Sequence, residues 1–287
     1  MKITDTRRTL SKSAGTARKK RQTEFNKKIA VAAAAIFVIL GCVIYYLHRP
    51  EVNISKVEVN GAAVLKPALI ENAILDELVG KYFYLVPKSS YFFYPKNLIL
   101  SKLRDSFKRI ENISLEHKGF TGLVVNISER RERYLWCGPD LILELEPGNE
   151  CYFIDSGGYV FSGAPFYSGN LFLEFYGPLS SGDNASPVGG VVLPEDWFGK
   201  IISFRNALLS SGFEVIKILS KEDGDYELFL LGGGKILVSS KNDLDKNIEY
   251  LKPALLTEPL RTKLEIERGN LDYLDLRFGN KVFYRFK

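Results

Sequence analysis

Only two histidines occur in the chain, His48 and His117, and they bound the imidazole chemistry it could run near neutral pH. His48 directly follows a long apolar run, which leaves His117 as the one base for a nucleophile-base pair. His117 closes a predicted strand before Lys118-Gly119, a setting that reads as a surface turn. Carboxylate pairs stand at Glu222/Asp223 and Asp243/Asp245, in predicted turns and helix starts where acids meet solvent or the positive end of a helix. A glycosidase needs two acids in one cleft with divergent pKa values, and nothing marks such a pair. Gly232-Gly233-Gly234 precedes Lys235 and then Ile-Leu-Val, a strand turn rather than the strand-loop-helix of a phosphate cradle. The residues predict no catalytic group and no cofactor.

Cys137 and Cys151 have thirteen residues between them, while Cys42 lies inside the apolar run. An even pair of thiols in an oxidising compartment predicts a disulfide. Residues 134–137, 141–145 and 151–155 all read as β-like. Pairing the outer two brings the cysteines within reach, and closing such a loop adds about 3 kcal/mol. The competing reading is two buried free thiols. A metal site would need more ligands than this pair and the distant His117.

The elements that would position these groups begin with residues 29–47, a run of 19 without a charged side chain. As a helix it spans roughly 28 Å, the thickness of a bilayer core. Ten Lys or Arg precede it (Lys2, Arg7, Arg8, Lys12, Arg18, Lys19, Lys20, Arg21, Lys27, Lys28) against two acids, whereas the fifteen residues after it hold only Arg49 and Lys56. The positive-inside rule keeps such an N-terminus cytoplasmic. Tyr45 and Tyr46 suit the headgroup layer, and Pro50 stops the helix. A cleaved signal peptide would end in small residues, but this run ends His48-Arg49-Pro50. Ile39-Leu40-Gly41-Cys42 has the look of a lipoprotein signal, with five more apolar residues following Cys42. Setting the tail aside leaves 29 cations against 32 anions, so the basic balance belongs to the tail. A basic segment beside a membrane helix attracts anionic lipid, and no nucleic-acid partner is expected.

Four segments are predicted: a basic tail over 1–28, a membrane helix over 29–47, an α+β module over 48–129 and a β-rich domain over 130–287. In the module, alternation over 54–59, the Asn60-Gly61 turn, helices opened by Pro67 and Pro95, and strands over 110–117 and 123–129 give the order β-α-α-β-β. In the β-rich domain, short runs are broken by Gly, Pro and Ser. One helix starts near Pro194 and ends just before Gly212, another carries Leu244, Ile248, Leu251 and Leu255, and residues 180–190 read as an exposed loop. The chain closes on a predicted hairpin over 271–278 and 281–286, joined by Gly279-Asn280. Asn-x-Ser sites at Asn53, Asn112, Asn126 and Asn184 would accept glycans in a eukaryotic secretory setting.

This arrangement resembles the bacterial cell-division proteins called FtsQ or DivIB, over nearly the whole chain. The resemblance is carried by Val57-Glu-Val-Asn-Gly61, by Glu129-Arg130-Arg131 with Trp136, by Ile154-Asp155 with Gly158 and Val160-Phe161, and by Leu274-Asp275-Leu276-Arg277-Phe278. It implies a polypeptide-transport-associated (POTRA) module and a β domain whose edge captures small single-pass coiled-coil partners of the FtsB or DivIC and FtsL kinds. Arg277 matches the family's basic position, expected to meet an acid on the partner, and Phe278 stands where Tyr is usual. Glu132 stands where the family often has Pro. Independently of the family, a terminal strand has no later strand to cover it and can accept one from a partner. The expected contact residues are Arg277, Phe278, Lys281, Val282, Phe283, Tyr284 and Arg285. The opposing reading buries the aromatic residues of this arm as core. The resemblance therefore implies a non-enzymatic scaffold in the plasma (inner) membrane, at the division septum, that helps regulate septal peptidoglycan synthesis. The rival readings are a POTRA-containing export or envelope-assembly factor and a membrane-anchored envelope hydrolase.

Overall fold

Residues Thr6–Leu47 form one helix, α1, which carries the apolar run at its C-terminal end. The computed structural model describes residues 6–287, with side chains described for 21–266 and 269–287. Of the basic tail, Lys2 lies outside the described residues, as do the side chains of Arg7, Arg8, Lys12, Arg18, Lys19 and Lys20. Among the described residues α1 alone is long and apolar enough to cross a membrane, over Arg21–Leu47. Ile36, Phe37, Val38 and Ile39 are exposed around its whole circumference, as in a helix whose solvent is lipid. The rest of the chain is mixed α+β. It divides into two compact units, Met1–Leu103 with Ile113–Ile127 and Arg104–Asn112 with Ser128–Lys287.

In the first unit β1 (Lys56–Asn60) pairs in parallel with β5 (Gly122–Glu129), and β4 (Ile110–Lys118) completes a sheet of order β1-β5-β4. Helix α2 (Pro67–Leu78) opens on a proline, whose missing N–H is harmless in a first turn, and buries Ile70, Ile74 and Leu78 at helical spacing. Helix α3 (Lys96–Ser106) buries Ile99 and Leu103. Alternate residues of β5, namely Leu123, Val125 and Ile127, are buried as well. The turn after β1 requires glycine: Gly61 has φ +85°, and a Cβ there would lie 2.1 Å from the Ile127 carbonyl oxygen. In the aromatic-rich link before α3, β2 (Lys81–Tyr82) and β3 (Val86–Pro87) form a small hairpin.

The second unit is built on a larger sheet. Its first strands are β6 (Tyr134–Trp136), β7 (Cys151–Ile154), β8 (Val160–Ala164) and β9 (Leu173–Tyr176). A separate hairpin follows, β10 (Ser181–Asp183) with β11 (Ser186–Val191). The sheet resumes with β12 (Val215–Ser220), β13 (Asp225–Leu230), β14 (Lys235–Ser239), β15 (Leu271–Phe278) and β16 (Lys281–Phe286). The nine strands stand in the order β16-β15-β14-β13-β12-β9-β6-β7-β8. Three pairs are parallel: β6 with β9 is joined through β7 and β8, and two more, β9 with β12 and β14 with β15, need helical crossovers. Helix α4 (Glu195–Ser210) serves the β9-β12 crossover, and α5 (Leu244–Leu255) with α6 (Leu260–Glu267) the β14-β15 crossover.

These helices share one core with alternate strand residues, including Phe198, Ile201 and Leu208 of α4, Leu244 and Leu251 of α5, and Phe175, Ile218, Leu228, Ile236 and Leu274 of the sheet. Truncating a fully buried member such as Ile201 to Ala would cost about 2–5 kcal/mol. The intervening residues project to the other face. There Leu135, Phe153, Phe161 and Tyr176 gather around Cys137 and Cys151 in a smaller cluster. Antiparallel pairing of β6 with β7 sets Trp136 opposite Tyr152, so the next residues outward, Cys137 and Cys151, meet as a disulfide with a Cα–Cα distance of 4.2 Å.

Three local expectations differ from the fold. Residues 141–145 form no strand, because both sides of β6 are already paired, to β7 and β9. Their apolar side chains Leu141, Ile142 and Leu145 instead cap the cluster around the disulfide. Residues 180–190, expected as a loop, contain the β10-β11 hairpin. Its glycines hide the strand signal but are required, since a Cβ on Gly182 would lie 2.7 Å from the Gly190 Cα. Helix α6 is not expected from the sequence, since among its described side chains Leu260 and Leu264 alone join the apolar core and make too narrow a stripe to read.

Candidate functional site

The terminal hairpin lies at one edge of the nine-stranded sheet, where β16 pairs with β15 alone. Among the described residues no strand pairs with the outer side of β16, so its alternate N–H and C=O groups are available to another chain. Helix α5 fixes the hairpin from within. Its N-cap, Asp243, accepts from the Asp245 N–H at 3.0 Å, and the preceding Asn242 donates to the Arg277 carbonyl at 2.7 Å.

Strand alternation divides the expected contact residues into two sets. Val282 and Tyr284, with Phe286, pack onto the helix-covered core, and Lys263 lies 5.4 Å from the Phe286 ring centre. These side chains are half-buried against that core, so the opposing reading holds in part for Tyr284 and Phe286 although the strand lies at the edge of the sheet and not inside it. Lys281, Phe283 and Arg285 project to the other, helix-free face and are exposed. At the hairpin tip Phe278 and Phe283 meet edge to face, with ring centres 5.3 Å apart and exposures of 57% and 49%. An apolar pair that exposed gains little from folding. Lys281, opposite Phe278, is exposed beside it.

The helix-free face continues inward as two rungs set by strand register. One runs Glu174, Lys217, Phe229, Lys235, Tyr273, Arg285, and the other Tyr176, Leu219, Glu227, Leu237, Asp275, Phe283. Its charges are paired: Lys217 with Glu174 at 2.8 Å, Lys235 and Lys221 with Glu227, and Arg285 with Asp272. Burial raises the Glu227 carboxyl, but hydrogen bonds and charge from Lys221 and Lys235 outweigh it and hold the group below the usual carboxylate range.

Arg277 is engaged within the chain. It forms a fork with Asp275, Nε to Oδ1 at 2.9 Å and Nη2 to Oδ2 at 2.7 Å, and its Nη1 donates to Asp225 at 2.6 Å. Hydrogen bonds to Asp275 and Asp225 push the guanidinium pKa further up, so the group is charged at every accessible pH. Burial raises the Asp225 carboxyl, yet hydrogen bonds from Arg277 and Ser239 and the charges of Arg277 and Lys241 leave it below its ordinary value. The guanidinium also lies 5.8 Å from the Phe278 ring centre. Arg277 thus orients the aromatic tip while its own donors are committed inside the sheet.

Neither a protein-family model nor a curated relative matches the chain.

The residues that sequence reasoning missed are the acids that hold Arg277. Asp275-x-Arg277 is an i, i+2 pair on one strand face and could have been read as such. Asp225 lies 52 residues from Arg277, and no local pattern announces it. Other residues singled out by motif have structural partners. Arg130 pairs with Asp155 and lies 4.2 Å from the Tyr159 ring centre, and Asp155 also accepts the N–H groups of Gly157 and Tyr159. Glu132 bonds Arg109 at 2.7 Å. His117 lies tilted against Tyr91 and edge-on to Tyr94, and among the described residues no group of three or more His, Cys, Asp or Glu is placed to hold a metal.

Proposed function

We propose that this chain is a non-enzymatic, membrane-anchored scaffold of the bacterial division complex, with its basic tail in the cytoplasm and both units outside. One observation carries the reading: an open edge strand, β16, whose Phe283 forms an exposed aromatic pair with Phe278 of β15 at the hairpin tip. Such an edge supplies main-chain hydrogen bonds to an incoming strand, while the aromatic pair and alternate side chains select it. The occupant proposed is a segment of a small single-pass coiled-coil protein of the FtsB or DivIC kind, with an FtsL-like protein alongside. Exposed Lys281, and Arg285 at the rim, favour an acidic segment, an attraction that weakens with salt.

The resemblance to FtsQ and DivIB supports the cellular setting, since the edge strand and Arg277-Phe278 occupy the positions that resemblance assigns to partner capture. In this reading Arg277 acts by holding the tip in place, and the partner-facing charge passes to Lys281 and Arg285. Inner-membrane localisation follows from α1 and septal localisation from the partners. Depletion of the protein in its native cell is the test: filaments with unfinished septa are the expected phenotype. Normal division with lost secretion would contradict it and favour an export role.

A further inference from the structure

The most exposed aromatic side chains of the globular part lie on the β2-β3 turn. Phe83 and Tyr84 are 91% and 95% exposed, and both have left-handed backbones, with φ +47° and +62°. The Leu85 N–H closes this turn on the Tyr82 carbonyl at 2.9 Å. Turns of this shape favour Asn or Gly, so two aromatic residues here carry a backbone cost that no internal contact offsets. Leu85, Phe92 and Phe93 are exposed in the same link. From residue 81 to residue 96 the chain has seven aromatic residues and no acid, and its only charges are Lys81, Lys88 and Lys96.

The structure ties this link to the end of α1. Leu47, in the last turn of α1, is buried, and α1 touches β3. Asn53 is the clasp: its amide donates to the Leu47 carbonyl at 2.9 Å and the Arg49 carbonyl at 2.7 Å, and its oxygen accepts from Ser89 at 2.9 Å. The backbone adds bonds from Ile54 N–H to Ser89 and from Tyr91 N–H to Val52. The β4-β5 turn joins the same end of the unit, since Ser55 and Lys56 donate to Thr121, and next to it exposed Phe120 packs on Tyr91.

We infer that residues 81–94, with Phe120, form a lipid-facing base that rests in the interfacial layer of the bilayer crossed by α1. Aromatic rings favour that layer, and exposed Lys81 beside the turn would meet anionic headgroups. The base holds the first unit against the membrane instead of letting it swing on a linker. The inference rests on α1 spanning the bilayer.

The test uses the full chain in vesicles of phosphatidylethanolamine and phosphatidylglycerol, with phosphatidylcholine brominated either high or low on its acyl chains. Phe83→Trp and Phe92→Trp are compared with unsubstituted protein, and Phe37→Trp reports on α1. The expected result is blue-shifted added emission at Phe83→Trp and Phe92→Trp, quenched by the shallow bromines, with Phe37→Trp quenched by the deep ones. Solvent-like, unquenched emission at both link positions beside a quenched Phe37→Trp overturns the lipid-facing base alone. Blue-shifted but unquenched emission at the link also overturns it, by putting protein where lipid is proposed. An unquenched Phe37→Trp overturns the spanning helix and the base with it.

Discussion

The Arg277 guanidinium on β15 bonds the Asp225 carboxylate at the start of β13 at 2.6 Å, reaching across β14, which lies between the two strands. Asp275 grips the same group from the side, so a single cation joins the terminal hairpin to the interior of the sheet.

Replacing Arg277 by Ala takes the guanidinium from two poorly solvated carboxylates, Asp275 and Asp225. The variant should lose about 2–3 kcal/mol of stability, and Lys should recover only part, because an ammonium cannot make the fork. Urea unfolding of the detergent-solubilised chain, followed by near-UV circular dichroism, measures both.

Asp225 and Glu227 both titrate below their ordinary values of 3.8 and 4.5 when folded. A depressed carboxyl stabilises the fold fully above its unfolded pKa and ceases to do so as pH falls through the folded one. Urea midpoints should therefore stay level, with the full contribution of these groups, from neutrality down to the ordinary carboxylate range, and then fall at lower pH. Asp225→Asn should flatten that acid limb.

The Cys137–Cys151 bond closes a short loop whose apolar residues cover the same cluster. Reduction, or Cys137→Ala with Cys151→Ala, should cost about 2–4 kcal/mol. Thermal melts with and without reductant, alongside mass-detected alkylation of the freed thiols, test this.

Protease added outside right-side-out membrane vesicles should remove both folded units and spare a fragment containing the tail and α1. Digestion of the tail instead would reverse the topology.

Much of this architecture is legible in particular residues. The terminal hairpin follows from alternation on both sides of Gly279-Asn280, and α4 from the spacing of Phe198, Ile201 and Leu208 between Pro194 and Gly212. Strand order is not legible, because Leu219 meets Tyr176 through a parallel pairing that any of several strands could have made. The candidate site divides in the same way. Its position at the edge, and the separation of Phe283 from Val282 and Tyr284 by strand alternation, follow from sequence pattern. Val282 and Tyr284 needed the helix-covered side to be known, and Arg277 needed Asp225, a contact formed only when distant strands align.

The exposed pair at the tip allows binding to be separated from folding. Phe278→Glu with Phe283→Glu forfeits one edge-to-face contact and little burial, about 1 kcal/mol. The most direct test is co-purification of full-length protein from its native membrane, wild type against this double variant, with circular dichroism confirming that both are folded. Small single-pass coiled-coil proteins should accompany the wild type and be lost from the variant. Equal recovery of those partners with both proteins would contradict capture at the β16 edge.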